Sequence, residues 1–202
     1  SAASSGAVIP AQPVTTSPPT VGTVTPPTCT VATGSVALSN LPASNWTVTA
    51  SPGGATITGN TTTATFSGLA QNTSYTFTVT LQSSGCTSVA SSSAAIPAQP
   101  ATPGAPAIVS ITQPTCGTAT GIINLGNLPA SGTWTPTRYP GAITSTGTGP
   151  TTSVSGLPSN TYTFTVTNSV SCVSAVSANA VVNSQPTTSP APTIGTITPP
   201  TC

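Results

Sequence analysis

The stretch SYTFTVTL, residues 74–81, places an apolar residue at every second position and a hydroxyl-bearing residue between them. The stretch TYTFTVT, residues 161–167, repeats the pattern. Because successive side chains of an extended chain point to opposite sides, each stretch has one apolar and one polar face. The apolar faces consist of Tyr75, Phe77, Val79 and Leu81 in the first, and Tyr162, Phe164 and Val166 in the second. The alternation predicts β-strands packed on a core by one face.

Further short runs of β-branched and apolar residues are separated by Gly, Pro and Asn, which favour turns. In the first half of the chain these runs are residues 34–41, 46–51, 55–60, 62–67 and 86–97. Short strands at this spacing predict an all-β chain of antiparallel β-sandwiches. The residues expected in the cores are Val36, Leu38, Trp46, Phe66, Tyr75, Phe77 and Val79 in one sandwich, and Ile123, Leu125, Trp134, Val154, Tyr162, Phe164 and Val166 in the other.

The sequence repeats itself with a period of about 87 residues, since 116 − 29 = 87 for Cys29 and Cys116, and 202 − 116 = 86 for Cys116 and Cys202. NLPASNW (40–46) returns as NLPASGTW (127–134). The heptad TVTPPTC (23–29) returns as SITQPTC (110–116) and again as TITPPTC (196–202). A fixed period of this kind indicates tandem modules.

We therefore predict two tandem sandwich modules, 27–97 and 114–183, joined by Pro-rich linkers. Residues 1–13 match the last strand of a preceding module, and 184–202 match a linker and the lead-in to a following module. The two remaining segments, 14–26 and 98–113, are interpreted as linkers or docking strands. The chain is accordingly interpreted as a slice of a longer array, or as a subunit whose ends complete its neighbours.

Matched branched apolar residues occur at the same place in each copy of the segment before the PTC motif, although a passive spacer does not need them. They are Val21, Val24, Ile108, Ile111, Ile194 and Ile197. We predict that these residues are assembly contacts, and that 20–26, 107–113 and 193–199 are ordered and pack on a module. The module is either their own or a neighbour's, the latter by strand addition between subunits.

The stretches LAQNTSYTFTV (69–79) and LPSNTYTFTV (157–166) resemble the tyrosine corner of immunoglobulin-like and fibronectin type III-like sandwiches. In those folds a Tyr at the start of strand F bonds through its hydroxyl to the backbone of the preceding corner, which implies that role for Tyr75 and Tyr162. The wider repeat is similar to tandem repeats of large bacterial surface adhesins and gliding-type filament proteins. We interpret Trp46 and Trp134 as core anchors.

Charged residues are almost missing, because the chain has no Asp, Glu, His or Lys and a single arginine, Arg138. One cation cannot neutralise a phosphate backbone, so nucleic acid is not an expected partner. Acid–base catalysis needs a titrating side chain and calcium needs carboxylates, and the sequence lacks both. The five cysteines have no His or acidic residue beside them to complete a metal site, so we expect no enzyme and no cofactor. No apolar run is long enough to span a membrane. Arg138, beside Tyr139, is expected to be solvated or stacked on an aromatic ring.

The five cysteines are expected to form disulfides, which would indicate an oxidising, extracellular setting. Pairing within modules gives Cys29–Cys86 and Cys116–Cys172, with Cys202 bonded to a neighbouring module. Pairing across the linker gives Cys86–Cys116 and Cys172–Cys202 instead. The first scheme is preferred on the assumption that both cysteines of a module lie at the same end of its sandwich.

Covalent sugar is a further expectation. Three N-x-S/T sequons occur, at Asn45, Asn60 and Asn72, and the abundant Thr and Ser also offer sites for O-linked sugar.

The functional hypothesis is a structural segment of an extracellular or cell-surface fibre or stalk, used for adhesion or surface coating. Its partners would be copies of itself or adjacent modules of the same array. One alternative is an adhesin module that itself binds a glycan or a surface, with Tyr139 as its exposed aromatic residue. A remote alternative is ice binding through the outward threonines.

The sequence also predicts that stability scarcely depends on pH or salt. Linkage requires groups whose proton binding differs between folded and unfolded chains, and side chains that titrate between about pH 4 and 8 are missing. Thermal unfolding midpoints should therefore stay nearly constant from pH 4 to 8, whereas a reducing agent should lower them. A steep acid transition in calorimetry would contradict this prediction.

Overall fold

The computed structural model describes residues 16–200, which divide between two compact units, 1–100 and 101–202. Every regular element in the described residues is a β-strand. Module 1 contains β1 Thr20–Thr25, β2 Thr33–Ser39, β3 Trp46–Ser51, β4 Thr56–Gly59, β5 Ala64–Ala70, β6 Thr73–Leu81 and β7 Ala94–Ile96. Module 2 contains β8 Ala107–Thr112, β9 Gly121–Gly126, β10 Thr133–Tyr139, β11 Ile143–Thr144, β12 Gly147–Thr148, β13 Thr152–Leu157, β14 Asn160–Asn168 and β15 Ala180–Val182.

Each module has two antiparallel sheets. In module 1 the strand orders are β1-β2-β5 and β4-β3-β6-β7. Module 2 has the corresponding sheets β8-β9-β13 and β11-β10-β14-β15, with β12 also paired to β10. The expected all-β sandwich architecture is confirmed. The predicted last strand of a preceding module, at residues 1–13, lies outside the described residues.

The apolar faces of the strands form one core in each module. Phe77 and Phe164 are fully buried, which confirms the period-two interpretation of β6 and β14. The other expected core residues are buried as well, except for Val154, which is half-buried and packs at the edge of its core. Phe66 occupies the equivalent position in module 1 and is buried against Phe77, with ring centroids 5.4 Å apart. A valine is too small to fill the same space.

Two recurrent sequence motifs are explained by backbone geometry. The Asn of each NLP motif has a positive φ, 59° at Asn40 and 56° at Asn127, a conformation that Asn tolerates better than most residues. The glycine of each SGL motif also has a positive φ, 76° at Gly68 and 69° at Gly156. Gly68 lies where the register between β2 and β5 shifts, and Gly156 lies where the register between β9 and β13 shifts. A β-bulge at this point requires a residue that adopts positive φ without strain.

The predicted strand at 86–97 is correct only for its last part, because the regular strand β7 is confined to Ala94–Ile96. Before β7, buried serines replace the backbone acceptors that a regular strand would offer to β6. The Ser91 hydroxyl accepts a hydrogen bond from the Phe77 amide at 3.0 Å, and the Ser88 hydroxyl accepts one from the Val79 amide at 3.0 Å. Their own amides donate back to the carbonyls of Phe77 and Val79. The step of two residues from Phe77 to Val79 in β6 is thus paired with a step of three residues from Ser88 to Ser91.

Module 2 repeats this arrangement, with Ser177 bonded to Phe164 and Ser174 bonded to Val166. The shared pattern is Ser-x-x-Ser-x-x-Ala, at 88–94 and at 174–180. This spacing of three is visible in the sequence, but it differs from the period of two that predicts a regular strand.

Substitution of Ser91 with Ala should destabilise module 1 by about 1–3 kcal/mol, because the buried Phe77 amide loses its acceptor. Ser93→Ala is the matched control, since Ser93 is exposed and its loss should change the free energy of unfolding by less than about 0.5 kcal/mol. Chemical denaturation of both variants measures the difference. Equal stabilities would show that the Ser91 hydroxyl does not contribute to holding this edge of the sandwich.

Candidate functional site: the strand-docking edge

The matched apolar residues before each PTC motif form the first strand of a module in two of the three copies. In module 1, β1 pairs antiparallel with β2, so that Val21 lies opposite Leu38 and Val24 opposite Val36. In module 2, β8 pairs with β9 in the same way, with Ile108 opposite Leu125 and Ile111 opposite Ile123. All four docking residues pack against the core of their own module.

The spacing of three between the docking residues has a structural cause. On a regular strand, residues three apart point to opposite faces. Both strands, however, shift register between the docking residues, after Val21 in β1 and after Ile108 in β8. Such an irregularity adds a residue to one strand and brings both side chains to the core face. The apolar pair with three-residue spacing is therefore the signature of a bulged first strand.

Residues that precede these strands are also held by their own module. The Asn40 amide donates to the Pro18 carbonyl at 3.1 Å, and the equivalent Asn127 amide donates to the Ala105 carbonyl at 2.8 Å. The predicted linkers and docking strands, 14–26 and 98–113, thus contribute a first strand to the module that follows each of them. Docking on the module's own sheet is confirmed for 20–26 and 107–113.

The segment that follows the last strand of each module is hydrogen-bonded to the turn between the first two strands of that module. The Gln99 side chain donates to the Cys29 carbonyl at 3.3 Å, and Gln185 donates to the Cys116 carbonyl at 3.0 Å. This turn contains the PTC motif of each module. The glutamine of the recurrent Gln-Pro therefore joins the segment after the last strand of each module, by a hydrogen bond, to the turn between its first two strands.

The third copy of the docking motif is not covered by either module. Residues 193–199 contain no strand, and Ile194 and Ile197 are 88% and 83% exposed. Their spacing is that of the bulged first strand. Packing of this copy on another module remains a prediction.

The preferred disulfide scheme is wrong. Cys29 and Cys172 are disulfide-bonded, whereas Cys86 and Cys116 are free thiols. This excludes Cys29–Cys86 and Cys116–Cys172 as well as the alternative bond Cys86–Cys116; Cys202 lies outside the described residues.

The strand registers give the reason. Cys29 lies in the turn before β2, at the end of the sandwich where Thr33 pairs with Ala70. Cys86 follows β6, at the opposite end, where Leu81 pairs with Trp46. Cysteines at opposite ends of a module are too far apart for a disulfide, and Cys116 and Cys172 are separated in the same way.

The tyrosine corner is present in both modules. The Tyr75 hydroxyl accepts a hydrogen bond from the Ala70 amide at 3.1 Å, and the Tyr162 hydroxyl donates to the Pro158 carbonyl at 2.9 Å. Trp46 and Trp134 are buried, as expected of core anchors, and each indole N–H donates to a backbone carbonyl at 2.9 Å.

The remaining predicted site residues lie at the surface. Asn45, Asn60 and Asn72 are exposed, and Tyr139 is an exposed aromatic residue. Arg138 is half-buried, with its guanidinium carbon 5.4 Å from the centre of the Tyr162 ring, so the expected stacking is confirmed. Within residues 16–200 there is no cluster of metal-ligating side chains. The same residues contain no helix of the length and apolarity that membrane crossing requires.

Module 1 matches a known family of β-sandwich domains. Residues 17–97 match the Fibronectin type III domain. Among solved structures, the FN1–FN3 domains of chicken CNTN1 align with 13% identity and a TM-score of 0.43, over 83% of this chain and 69% of that one. The human OSCAR ligand-binding domain aligns with 16% identity and a TM-score of 0.35, over 84% of this chain and all of that one. No curated protein matches the chain in sequence.

The two sheets of module 1 agree with the match, and module 2 repeats its strand pairing. The chain is an all-β protein with fibronectin type III-like and immunoglobulin-like sandwiches. Domains of this type act as structural or binding modules.

Proposed function

We propose that the chain is a structural, non-catalytic segment of an extracellular fibre or stalk that serves adhesion or surface coating. Each module has its own core, its own first strand and its own Gln-mediated fastening between end and beginning. Modules of this kind can be added in series to span distance, because each new copy brings every contact that its fold requires.

The observation that carries the proposal is the exposed third docking motif. Ile194 and Ile197 have the residue type and spacing that Ile108 and Ile111 use to pack on β9. Their exposure leaves two large apolar side chains in water, and burial of each would contribute about 1.5–3 kcal/mol. In this chain β2 and β9 are paired on both edges, so the proposed partner is the equivalent second strand of an adjacent module of the same array.

Features of the surface support the extracellular location within this proposal. The disulfide-bonded state of Cys29 and Cys172 is typical of oxidising compartments. The three sequon asparagines are exposed and could carry covalent glycans in the first module. A sugar coat would also keep a nearly uncharged surface soluble.

The assembly part of the proposal can be tested with two double variants. Ile194→Ser with Ile197→Ser removes the exposed docking pair, and Val170→Ser with Val173→Ser removes two exposed valines of module 2 that lie elsewhere. Both are made in a chain extended by residues 117–183 after Cys202, so that the third docking pair precedes a further copy of the module 2 sandwich. We expect the added module to be as stable in the valine variant as in the unmodified extended chain, and to lose about 1.5–3 kcal/mol per isoleucine in the isoleucine variant, because those side chains no longer pack on it. Chemical denaturation measures the difference, and equal stability of the added module in both variants would contradict the proposal.

Ice binding is a second candidate, favoured by the arrangement of outward threonines. In module 1, Thr49 is paired with Thr56 on one side and Thr78 on the other. Thr47 is paired with Thr58 and Thr80 in the same manner. The polar face of this sheet therefore carries hydroxyl rows three strands wide, at the strand spacing of about 4.8 Å.

This candidate predicts thermal hysteresis in a solution of the purified chain. Thr49→Lys should abolish the hysteresis by interrupting one row, whereas Val89→Lys, at an exposed position outside the rows, should leave it unchanged. A freezing point equal to the melting point in the unmodified protein would eliminate ice binding and leave the fibre proposal untouched.

A further inference from the structure

The single charged side chain of the sequence, Arg138, lies in β10 beside a small cavity. Its guanidinium stacks on Tyr162, and its Nε is buried without a hydrogen-bond partner in the described part of the chain. A buried donor of a charged group loses its hydration, so an unpaired one is costly. The sequence offers no Asp or Glu to compensate for it.

The cavity has a volume of about 170 Å³ and lies between the two sheets of module 2, where β11 approaches β13. The residues that line it include Arg138, Thr144, Ser145 and Ser155. Val154 and Phe164 contribute apolar walls. The volume is below the several hundred Å³ of a drug-sized site, so the cavity suits a small group or one sugar ring.

Module 1 lacks this site, and the difference comes from three equivalent positions. Ala50 lies opposite Phe77 in the register that places Arg138 opposite Phe164. Phe66 lies opposite Val36 as Val154 lies opposite Ile123. Ile57, paired with Val48, is replaced by Ser145, whose amide donates to the Pro136 carbonyl.

The three replacements act together. Exchange of a phenylalanine for a valine opens space, exchange of an isoleucine for a serine adds a hydroxyl, and exchange of an alanine for an arginine adds a positive charge. In module 1 the same region is closed by the packing of Phe66 on Phe77, and Ile57 packs against that core. The cavity is therefore specific to module 2 and is not a general property of the fold.

We propose that this Arg138 pocket binds the carboxylate of another molecule. A guanidinium binds a carboxylate through charge-assisted and often bidentate hydrogen bonds, and the hydroxyl of Ser145, at the position of the core-facing Ile57, can donate a further bond to it. One cation matches a monoanion, whereas a dianionic phosphate would leave an uncompensated charge in a partly buried site. The apolar walls suit the carbon skeleton that bears the carboxylate. Since this chain has no acidic side chains, the partner is of different composition, either a sugar acid or a small carboxylic acid.

The single arginine allows a direct test. Labelling of the full chain with ¹⁵N-arginine gives one Nε–H signal, which reports on Arg138 alone. We expect titration with sodium glucuronate to shift this signal saturably, with a Kd on the order of 1 mM, and uncharged glucose to leave it unchanged. Sodium acetate forms the second arm: binding at least about tenfold weaker than that of glucuronate identifies a sugar acid as the source, and equal binding identifies the carboxylate alone.

Two variants separate a built pocket from simple ion pairing. Val154→Phe restores the residue type of module 1 and fills the cavity while retaining the charge, so saturable binding should be lost. Arg138→Ala restores the alanine of module 1, and binding, followed through the Ser145 and Ser155 amide signals, should also be lost. Unchanged Trp134 indole signals would verify that both variants remain folded. A linear, unsaturable shift in the unmodified chain, or an equal Kd in folded Val154→Phe, would overturn the proposal.

Discussion

Each module depends on the antiparallel pairing of its first strand with its second. The first strand covers the edge of the β2-β5 or β9-β13 sheet, and its bulge turns two apolar residues toward the core. Without it, the second strand would present unpaired backbone groups and uncovered Leu38 or Leu125 at an open edge. Because this strand precedes the PTC motif, each structural module begins before the turn that marks it in the sequence.

This pairing also bears on the proposed assembly. Strand exchange between subunits would require the first strand to leave its own sheet. In this structure β1 is paired with β2, and β8 is paired with β9, within the same module. The chain is therefore organised as an array of self-contained modules, and the exposed third motif has the bulged spacing of the same first strand. In the segment after module 1, the Gln99 side chain donates to the Thr28 carbonyl of module 1, and the Ala101 and Ala105 carbonyls accept hydrogen bonds from Asn168 and Asn127 of module 2.

The sequence predicted those parts of the fold that repeat with a simple period. Alternation in β6 and β14 identified the core, and the tyrosine corners followed from Tyr75 and Tyr162. Spacings of three were harder to interpret, because both the bulged first strands and the serine-bonded segments break the period of two. The Arg138 pocket depends on Val154 and Ser145, which are distant in sequence from Arg138, and the disulfide scheme depended on which end of the sandwich each cysteine occupies. Neither the pocket nor the positions of the cysteines could be predicted from the pattern of neighbouring residues in the sequence.

Stretching of single molecules under reducing conditions tests the central claim, that the chain is a series of self-contained modules with a mechanical role. The account predicts two separate unfolding events of similar size, each lengthening the chain by about 250 Å, given the roughly 3.5 Å per residue of an extended chain. One event that spans both modules, or extension without resistance, would contradict it.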